Sequence, residues 1–189
     1  MINEDDLVIM HEKYKDNVIL LNRNKQLNAL SYVMLQKLTA IVQNIENSKM
    51  SKFMILCSFG RAFCAGGDIK EIYNLSSKPD TALQLGRDYF KLEYTFNKFL
   101  ASMRTPCISL LNGITFGGGV GLTHGSFTVS TNQALWSMPE CKIGLFPDVG
   151  AMHKLALIAL PGLGLYLALT GDRLHGCDIY RAGLSTHHC

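Results

Sequence analysis

Glu140 and Asp148 lie in Met138-Pro139-Glu140-Cys141-Lys142-Ile143-Gly144-Leu145-Phe146-Pro147-Asp148-Val149-Gly150, an apolar stretch punctuated by two prolines. A carboxylate among such neighbours is either exposed on a loop or held for chemistry. Apolar surroundings raise its pKa toward a value suited to a general acid or base. The plainer alternative is a loop glutamate and a helix cap, since Asp148 stands where it would cap a following helix. A second kind of chemistry needs no side chain. Two glycine clusters, Gly60-Arg61-Ala62-Phe63-Cys64-Ala65-Gly66-Gly67-Asp68-Ile69-Lys70 and Asn112-Gly113-Ile114-Thr115-Phe116-Gly117-Gly118-Gly119-Val120-Gly121, follow apolar runs ending at Cys57 and Leu111. Glycine lets a backbone approach a ligand closely and present its N–H groups. Two such turns from neighbouring strands can aim two N–H groups at one oxygen, the geometry of an oxyanion hole. The same glycines would also serve as tight turns or close helix contacts, and one cluster alone does not decide between them. Neither cluster matches GxGxxG or GxxxxGK[ST], so phosphate cradling ranks low.

Other chemistries lack their residues. The six cysteines form no CxxC pair and have no zinc-like spacing. No histidine has HExxH spacing and there is no GxSxG elbow, so no metal is expected and a Ser-His-Asp hydrolase is disfavoured. His187-His188-Cys189 reads as a frayed tail. Hydrophobic residues make up 48% of the 189 and charged residues 17%, against disorder and for one domain with a real core. A net charge of +3 gives no reason to expect nucleic acid or an anionic membrane as partner. No apolar run reaches the ~18 residues of a span. Met1-Ile2-Asn3-Glu4-Asp5-Asp6 carries neither a secretory h-region nor the basic character of a transit peptide. A soluble intracellular chain with reduced thiols is expected.

The elements that must position these groups alternate. Apolar runs predict strands at Val18–Leu21, Phe53–Cys57 and Cys107–Leu111, with weaker ones at Phe127–Ser130 and Ala134–Trp136. Such continuous runs suit parallel strands covered on both faces. A 3.6-residue period predicts a helix from Ser31, its N-cap, to Glu46. A longer helix is expected from about Thr81 to Met103, with Tyr89, Phe90, Phe96, Phe99 and Leu100 inward, and short ones over Leu163–Leu169 and Cys177–Ala182. Asn74–Asp80 is expected to be an exposed loop. The result is an α/β layered architecture with right-handed crossovers.

Taken together, Ala62-Phe63-Cys64-Ala65-Gly66-Gly67-Asp68-Ile69-Lys70, Asn112-Gly113 through Gly117-Gly118-Gly119, and Met138-Pro139-Glu140 with Gly144-Leu145-Phe146-Pro147 resemble the enoyl-CoA hydratase/isomerase (crotonase) superfamily. The order and spacing of three motifs over about Val18 to His187 are far more specific than any one. The resemblance implies an α/β fold built as a crotonase-like spiral of ββα units. It implies an acyl-CoA substrate, whose coenzyme A is part of the substrate and not a cofactor. It also implies an oxyanion hole from the N–H groups of Gly67 and Gly118. Hydratases of the superfamily are expected to carry a glutamate shortly after the triple glycine, paired with the later one; here that position is Gly121. Leu167-Ala168-Leu169-Thr170-Gly171 and Tyr180-Arg181-Ala182-Gly183-Leu184-Ser185-Thr186-His187, with the Glu140 and Asp148 stretch, look instead like the 3-hydroxyisobutyryl-CoA hydrolases, thioesterases of valine breakdown. That likeness implies Glu140 and Asp148 as catalytic carboxylates. It implies Glu93, Gly118, Glu140 and Asp148 as substrate contacts.

Two local departures from the subgroup stand out. Leu122-Thr123-His124-Gly125-Ser126 is about a residue short, and Ala151-Met152-His153-Lys154 replaces a run richer in glycine and aromatics. Subgroup members also continue well beyond this length, so residues 1–189 are expected to be a single domain incomplete at its C-terminus. The apolar surface left uncovered would invite homo-oligomerisation. By family the compartment is the mitochondrial matrix in a eukaryote, otherwise the cytoplasm.

Overall fold

The computed structural model describes residues 7–13, 16–76 and 79–189. Ten strands and seven α-helices alternate among these residues. One six-stranded sheet has the order β1 (Val8–Lys13), β2 (Asp16–Leu21), β3 (Met54–Ser58), β5 (Cys107–Leu111), β7 (Phe127–Ser130), β10 (His187–His188). A four-stranded sheet has the order β4 (Ala62–Cys64), β6 (Ile114–Phe116), β8 (Leu135–Ser137), β9 (Leu174–His175). From β2 to β10 every pair in the larger sheet is parallel, and only β1 runs antiparallel, to β2.

The chain order explains how the two sheets arise. β3, β5 and β7 each enter the large sheet, and β4, β6 and β8 then each enter the small one. α2 (Ile69–Ser76), α4 (Gly118–Gly121) and a 3-10 turn (Glu140–Ile143) follow in the same order. This is the expected ββα repeat. The glycine clusters were expected to follow the large-sheet strands directly. Instead each contains a three-residue strand of the second sheet before its turn, because pairing with β6 or β8 satisfies those backbone groups. The parallel sheet is not evenly covered either. Cys107, Ser109 and Leu111 are buried, whereas Ile108 and Leu110 on the opposite face are half-buried.

The helices follow their periodicity. α1 (Tyr32–Ser48) starts where Ser31 Oγ accepts the Met34 N–H at 3.1 Å, and buries Met34, Leu35, Leu38, Val42 and Ile45. α3 (Pro79–Ser102) buries Tyr89, Phe96 and Leu100, with Phe90 and Phe99 only partly covered. Two polar residues share this inward stripe, Glu93 and Asn97. The expected loop at 74–80 is corrected in part: Asn74-Leu75-Ser76 ends α2, Pro79-Asp80 begins α3, and 77–78 lie outside the described residues. Met1–Asp6 also lie outside them. α5 (Ala151–Ala156), α6 (Leu163–Thr170) and α7 (Cys177–Arg181) complete the chain. The terminal histidines are not frayed: β10 pairs in parallel with β7, and His188 Nδ1 lies 3.1 Å from Ser130 Oγ. Among the described residues, no helix is long and apolar enough to cross a membrane and no His/Cys/Asp/Glu group is placed to hold a metal.

Candidate active site

The turns after β4 and β6 meet. Gly66 takes φ +102° and Gly117 φ +48°, backbone that a Cβ disfavours. These bends bring the turns so close that a Cβ on Gly66 would stand 3.4 Å from the Gly118 nitrogen, and one on Gly118 would stand 3.2 Å from the Gly67 nitrogen. The bridge between Leu30 and Gly67 uses the Leu30 N–H to the Gly66 carbonyl (2.8 Å) and the Asp68 N–H to the Leu30 carbonyl (2.9 Å). The Gly67 N–H is left outside that pairing. Gly118 is the first residue of α4, so its N–H has no acceptor within the helix. Tyr89 braces the turn from α3: its hydroxyl donates to the Leu30 carbonyl at 2.8 Å and leaves no room for a side chain on Gly67.

Three carboxyl groups close on the same place. Glu140 opens its 3-10 turn after Pro139 and is 5% exposed; its Oε1 packs against Gly117, where a side chain would collide with it. Glu93, on α3, is 3% exposed, and its Oε1 fills the space above Gly118. Glu140 Oε2 and Glu93 Oε1 have no hydrogen-bond partner among the described residues. Asp148 is half-buried and its Oδ2 accepts the Tyr94 hydroxyl at 2.7 Å. Burial raises all three. It pushes Glu93 to about 8, helped by the charges of Asp148 and Glu140, and Glu140 to about 7, helped by Asp148. Asp148 is raised by burial, against the hydrogen bond from Tyr94. Glu93 feels the charges of both others and Glu140 feels that of Asp148, so the three form one electrostatic cluster. The helix-cap alternative for Asp148 is not what forms. Gly150 is the N-cap residue of α5, and only the Asp148 backbone carbonyl receives the Ala151 N–H, at 2.8 Å.

The space at Gly121 is already filled. A Cβ there would stand 2.8 Å from both amide atoms of Asn97 and 2.9 Å from Val149 Cβ. A glutamate at this position would have to move the Asn97 amide aside and push back Val149 in the Asp148 loop. The stretches 122–126 and 151–154 prove to be neighbours. Lys154 Nζ donates to the Thr123 carbonyl (2.5 Å) and Thr123 Oγ1 (2.7 Å), and burial lowers the lysine to about 8. His124 Nε2 lies 2.5 Å from the Val149 carbonyl, and burial lowers this imidazole to about 4, so a neutral ring donates its Nε2–H. Residues 122–126 and α5 are thus tied through Thr123 and Lys154, and His124 holds the carbonyl of Val149, a non-glycine residue at φ +45° beside Asp148.

One cavity reaches Asp148 and another passes Gly67. An apolar one of about 470 Å³ is lined by Tyr94, Asn97, His124, Phe146, Asp148 and Met152, among others. A more polar cleft of about 1040 Å³ runs past Gly67, with Arg23, Lys25, Lys70 and Asp68 on its walls. Arg23 donates to Asp68 Oδ2 at 2.6 Å, and Asp68 Oδ1 accepts the Glu71 N–H at 3.0 Å at the start of α2.

A family model described as enoyl-CoA hydratase/isomerase matches residues 17–189. The chain belongs to the enoyl-CoA hydratase/isomerase family. It is 45% identical over 183 residues to a rat protein named "3-hydroxyisobutyryl-CoA hydrolase, mitochondrial", covering 95% of this chain and 46% of that one. It is 41% identical over 182 residues to an Arabidopsis thaliana protein named "Probable 3-hydroxyisobutyryl-CoA hydrolase 3", covering 95% of this chain and 47% of that one. The chain therefore spans about half the length of the curated relatives it matches. A crystal structure titled an enoyl-CoA hydratase from Rhodobacter sphaeroides superposes with a TM-score of 0.89 at 37% identity, over 96% of this chain and 54% of that one. The expected crotonase-like fold is the fold observed.

In this member of the enoyl-CoA hydratase/isomerase family, every residue singled out from sequence lies in one region: Gly67, Gly118, Glu93, Glu140 and Asp148. Sequence reasoning missed Tyr94, which holds Asp148, and Asn97, which crowds Gly121. Asn97 had one usable signal. It follows Glu93 by four residues on the helix, so an inward Glu93 puts Asn97 inward as well.

Proposed function

We propose that this chain hydrolyses a short hydroxyacyl-CoA thioester, 3-hydroxyisobutyryl-CoA, to 3-hydroxyisobutyrate and free CoA. The observation that carries the reading is a carboxyl cluster beside two closely apposed glycine turns, with no room at Gly121 for a second glutamate. Hydration by a glutamate pair loses a partner, while attack on a thioester carbonyl keeps all its parts. The names of the relatives point the same way.

In the proposed reaction the thioester oxygen is held by the Gly67 and Gly118 N–H groups, a kind of contact worth about 3–4 kcal/mol in the barrier. Ionised Glu140 takes a proton from the attacking water, or adds to the carbonyl to give an anhydride that water then opens. Either route breaks the C–S bond, and the thiolate leaves with a proton relayed from the carboxyl cluster. Glu93 contacts the substrate, as does Asp148. The cleft lined by Arg23, Lys25 and Lys70 offers cations to the phosphates of the CoA portion. The substrate is the partner in this reading, with neither nucleic acid nor membrane required and no metal. The mitochondrial label of the rat relative supports a mitochondrial compartment in a eukaryote.

Free-thiol detection on the 189-residue chain tests the proposal. Release of CoA from 3-hydroxyisobutyryl-CoA, falling at least about 100-fold in a folded Glu140→Gln variant, supports it. The chain's coverage of about half of each relative favours a second reading, a CoA-binding fragment without turnover. CoA binding with no thiol release would establish that instead. Double-bond migration in an enoyl-CoA without thiol release would indicate an isomerase using Glu140 alone.

A further inference from the structure

Val149 is held in a conformation that its own side chain resists. Its φ of +45° lies in the left-handed region, and among the described residues it is the only β-branched residue there. Two methyl groups on Cβ crowd the backbone in that region, so a valine stays there only when its surroundings hold it. Two contacts do so. The side chain is 3% exposed and packs beside Gly121, where an added Cβ would stand 2.9 Å from Val149 Cβ. The carbonyl, which can only accept, takes the Nε2–H of His124 at 2.5 Å. The imidazole also stands against the next residue, since a Cβ on Gly150 would lie 2.8 Å from Nε2. His124 is itself anchored, because Lys154 Nζ binds the carbonyl and hydroxyl of Thr123, the residue before it.

The φ of Val149 sets the direction in which the chain leaves Asp148 for α5. Turning that bond to the ordinary negative region would swing Asp148 relative to α5, where its carbonyl accepts the Ala151 N–H at 2.8 Å. The same turn would move its carboxylate off the Tyr94 hydroxyl, now 2.7 Å from Oδ2. We propose that His124 is a positioning residue: by pinning the Val149 carbonyl it maintains the left-handed bend that keeps the Asp148 carboxylate on the Tyr94 hydroxyl. The effect on turnover rests on the hydrolase reading above and deepens it.

The test compares His124→Phe, which keeps a ring but has no donor, with His124→Gln, whose amide donates from about the same place. Crystal structures of the 189-residue variants are expected to show Val149 out of positive φ and Asp148 parted from Tyr94 in His124→Phe, with both features kept in His124→Gln. In thiol release from 3-hydroxyisobutyryl-CoA, His124→Phe is expected to lower kcat about tenfold or more with KM held within about threefold, the signature of a misplaced group rather than of lost binding. His124→Gln is expected to recover most of the rate. Once Asp148→Asn is present, His124→Phe should cost little more, because both changes act on one carboxylate. A residue that only supported the fold would slow the Asp148→Asn protein as much as the wild type. Should the phenylalanine variant not fold, His124→Ala reads the same quantities. Val149 unmoved with Asp148 still on Tyr94, or rate losses that simply multiply, overturns the inference. If the wild type releases no thiol, the hydrolase reading falls, and the crystal structures alone decide the role of His124.

Discussion

Glu140 and Glu93 are glutamates whose protons belong to the physiological range, and this has two separable consequences. For turnover, Glu140 must be ionised, so kcat/KM should rise with pH along a limb centred near 7, the value to which burial and Asp148 push the group. A rate profile already flat below about pH 6 would remove Glu140 from the basic role. For stability the sign runs the other way. A carboxyl whose folded pKa is raised contributes stability that is present below its ordinary range and is lost as pH rises through the folded value. Glu140 and Glu93 therefore weaken the fold as pH climbs from the ordinary carboxylate range through about 7 and about 8. Thermal melts should fall over that window, and Glu93→Gln should flatten the decline and raise the melting point at its alkaline end. Asp68 opposes this: despite burial, the Glu71 N–H and Arg23 hold it below its usual range, so its contribution is lost at the acid end. The carboxylates at 140 and 148 stood out as charges in an apolar stretch, and motif resemblance supplied Glu93. Tyr94 and Asn97 did not stand out, because their roles depend on which face of α3 turns inward and on a loop fifty residues away.

At the scale of elements, the crowding between α3, α4 and the Asp148 loop gives a direct prediction. Gly121→Glu would supply the second carboxylate that hydratases are expected to carry, yet the side chain meets Asn97 and Val149 at under 3 Å. Overpacking of this kind typically costs about 1–3 kcal/mol. The variant should melt lower and gain no hydration of enoyl-CoA thioesters. Appearance of hydratase activity would show that α3 moves more readily than the packing implies. Long elements were legible because their periodicity is long: α1 declares its cap at Ser31 and its stripe through Ile45. β4 and β6 were not, since three residues inside a glycine-rich run carry no alternation to detect. β10 was missed for a similar reason. His187-His188 has no strand composition, and tertiary pairing with β7 overrides that.

For the whole molecule, the uneven distribution of apolar surface matters most. Leu157, Leu160, Leu165 and Leu169, along α5, α6 and their connection, are all more than half exposed, and Tyr166 on α6 is half exposed. Patches of this kind on a soluble chain mark contact surfaces. Sedimentation should show concentration-dependent self-association that Leu165→Glu with Leu169→Glu reduces; a monomer at all concentrations would count against it. The strand order carries a last consequence, for how the site comes into being. Only β1 and β2 are joined as a hairpin; every other neighbour in the large sheet is reached by a crossover. Contacts so distant in sequence place the chain among slow folders, because loop-closure entropy must be overcome before pairing stabilises anything. Gly67 and Glu93 come from one crossover, Gly118 from the next, and Glu140 and Asp148 from the last, so the site lacks two of its three carboxyl groups until the final crossover is in place. In refolding, thiol release from 3-hydroxyisobutyryl-CoA should therefore reappear only in the last kinetic phase, in step with recovery of the complete sheet.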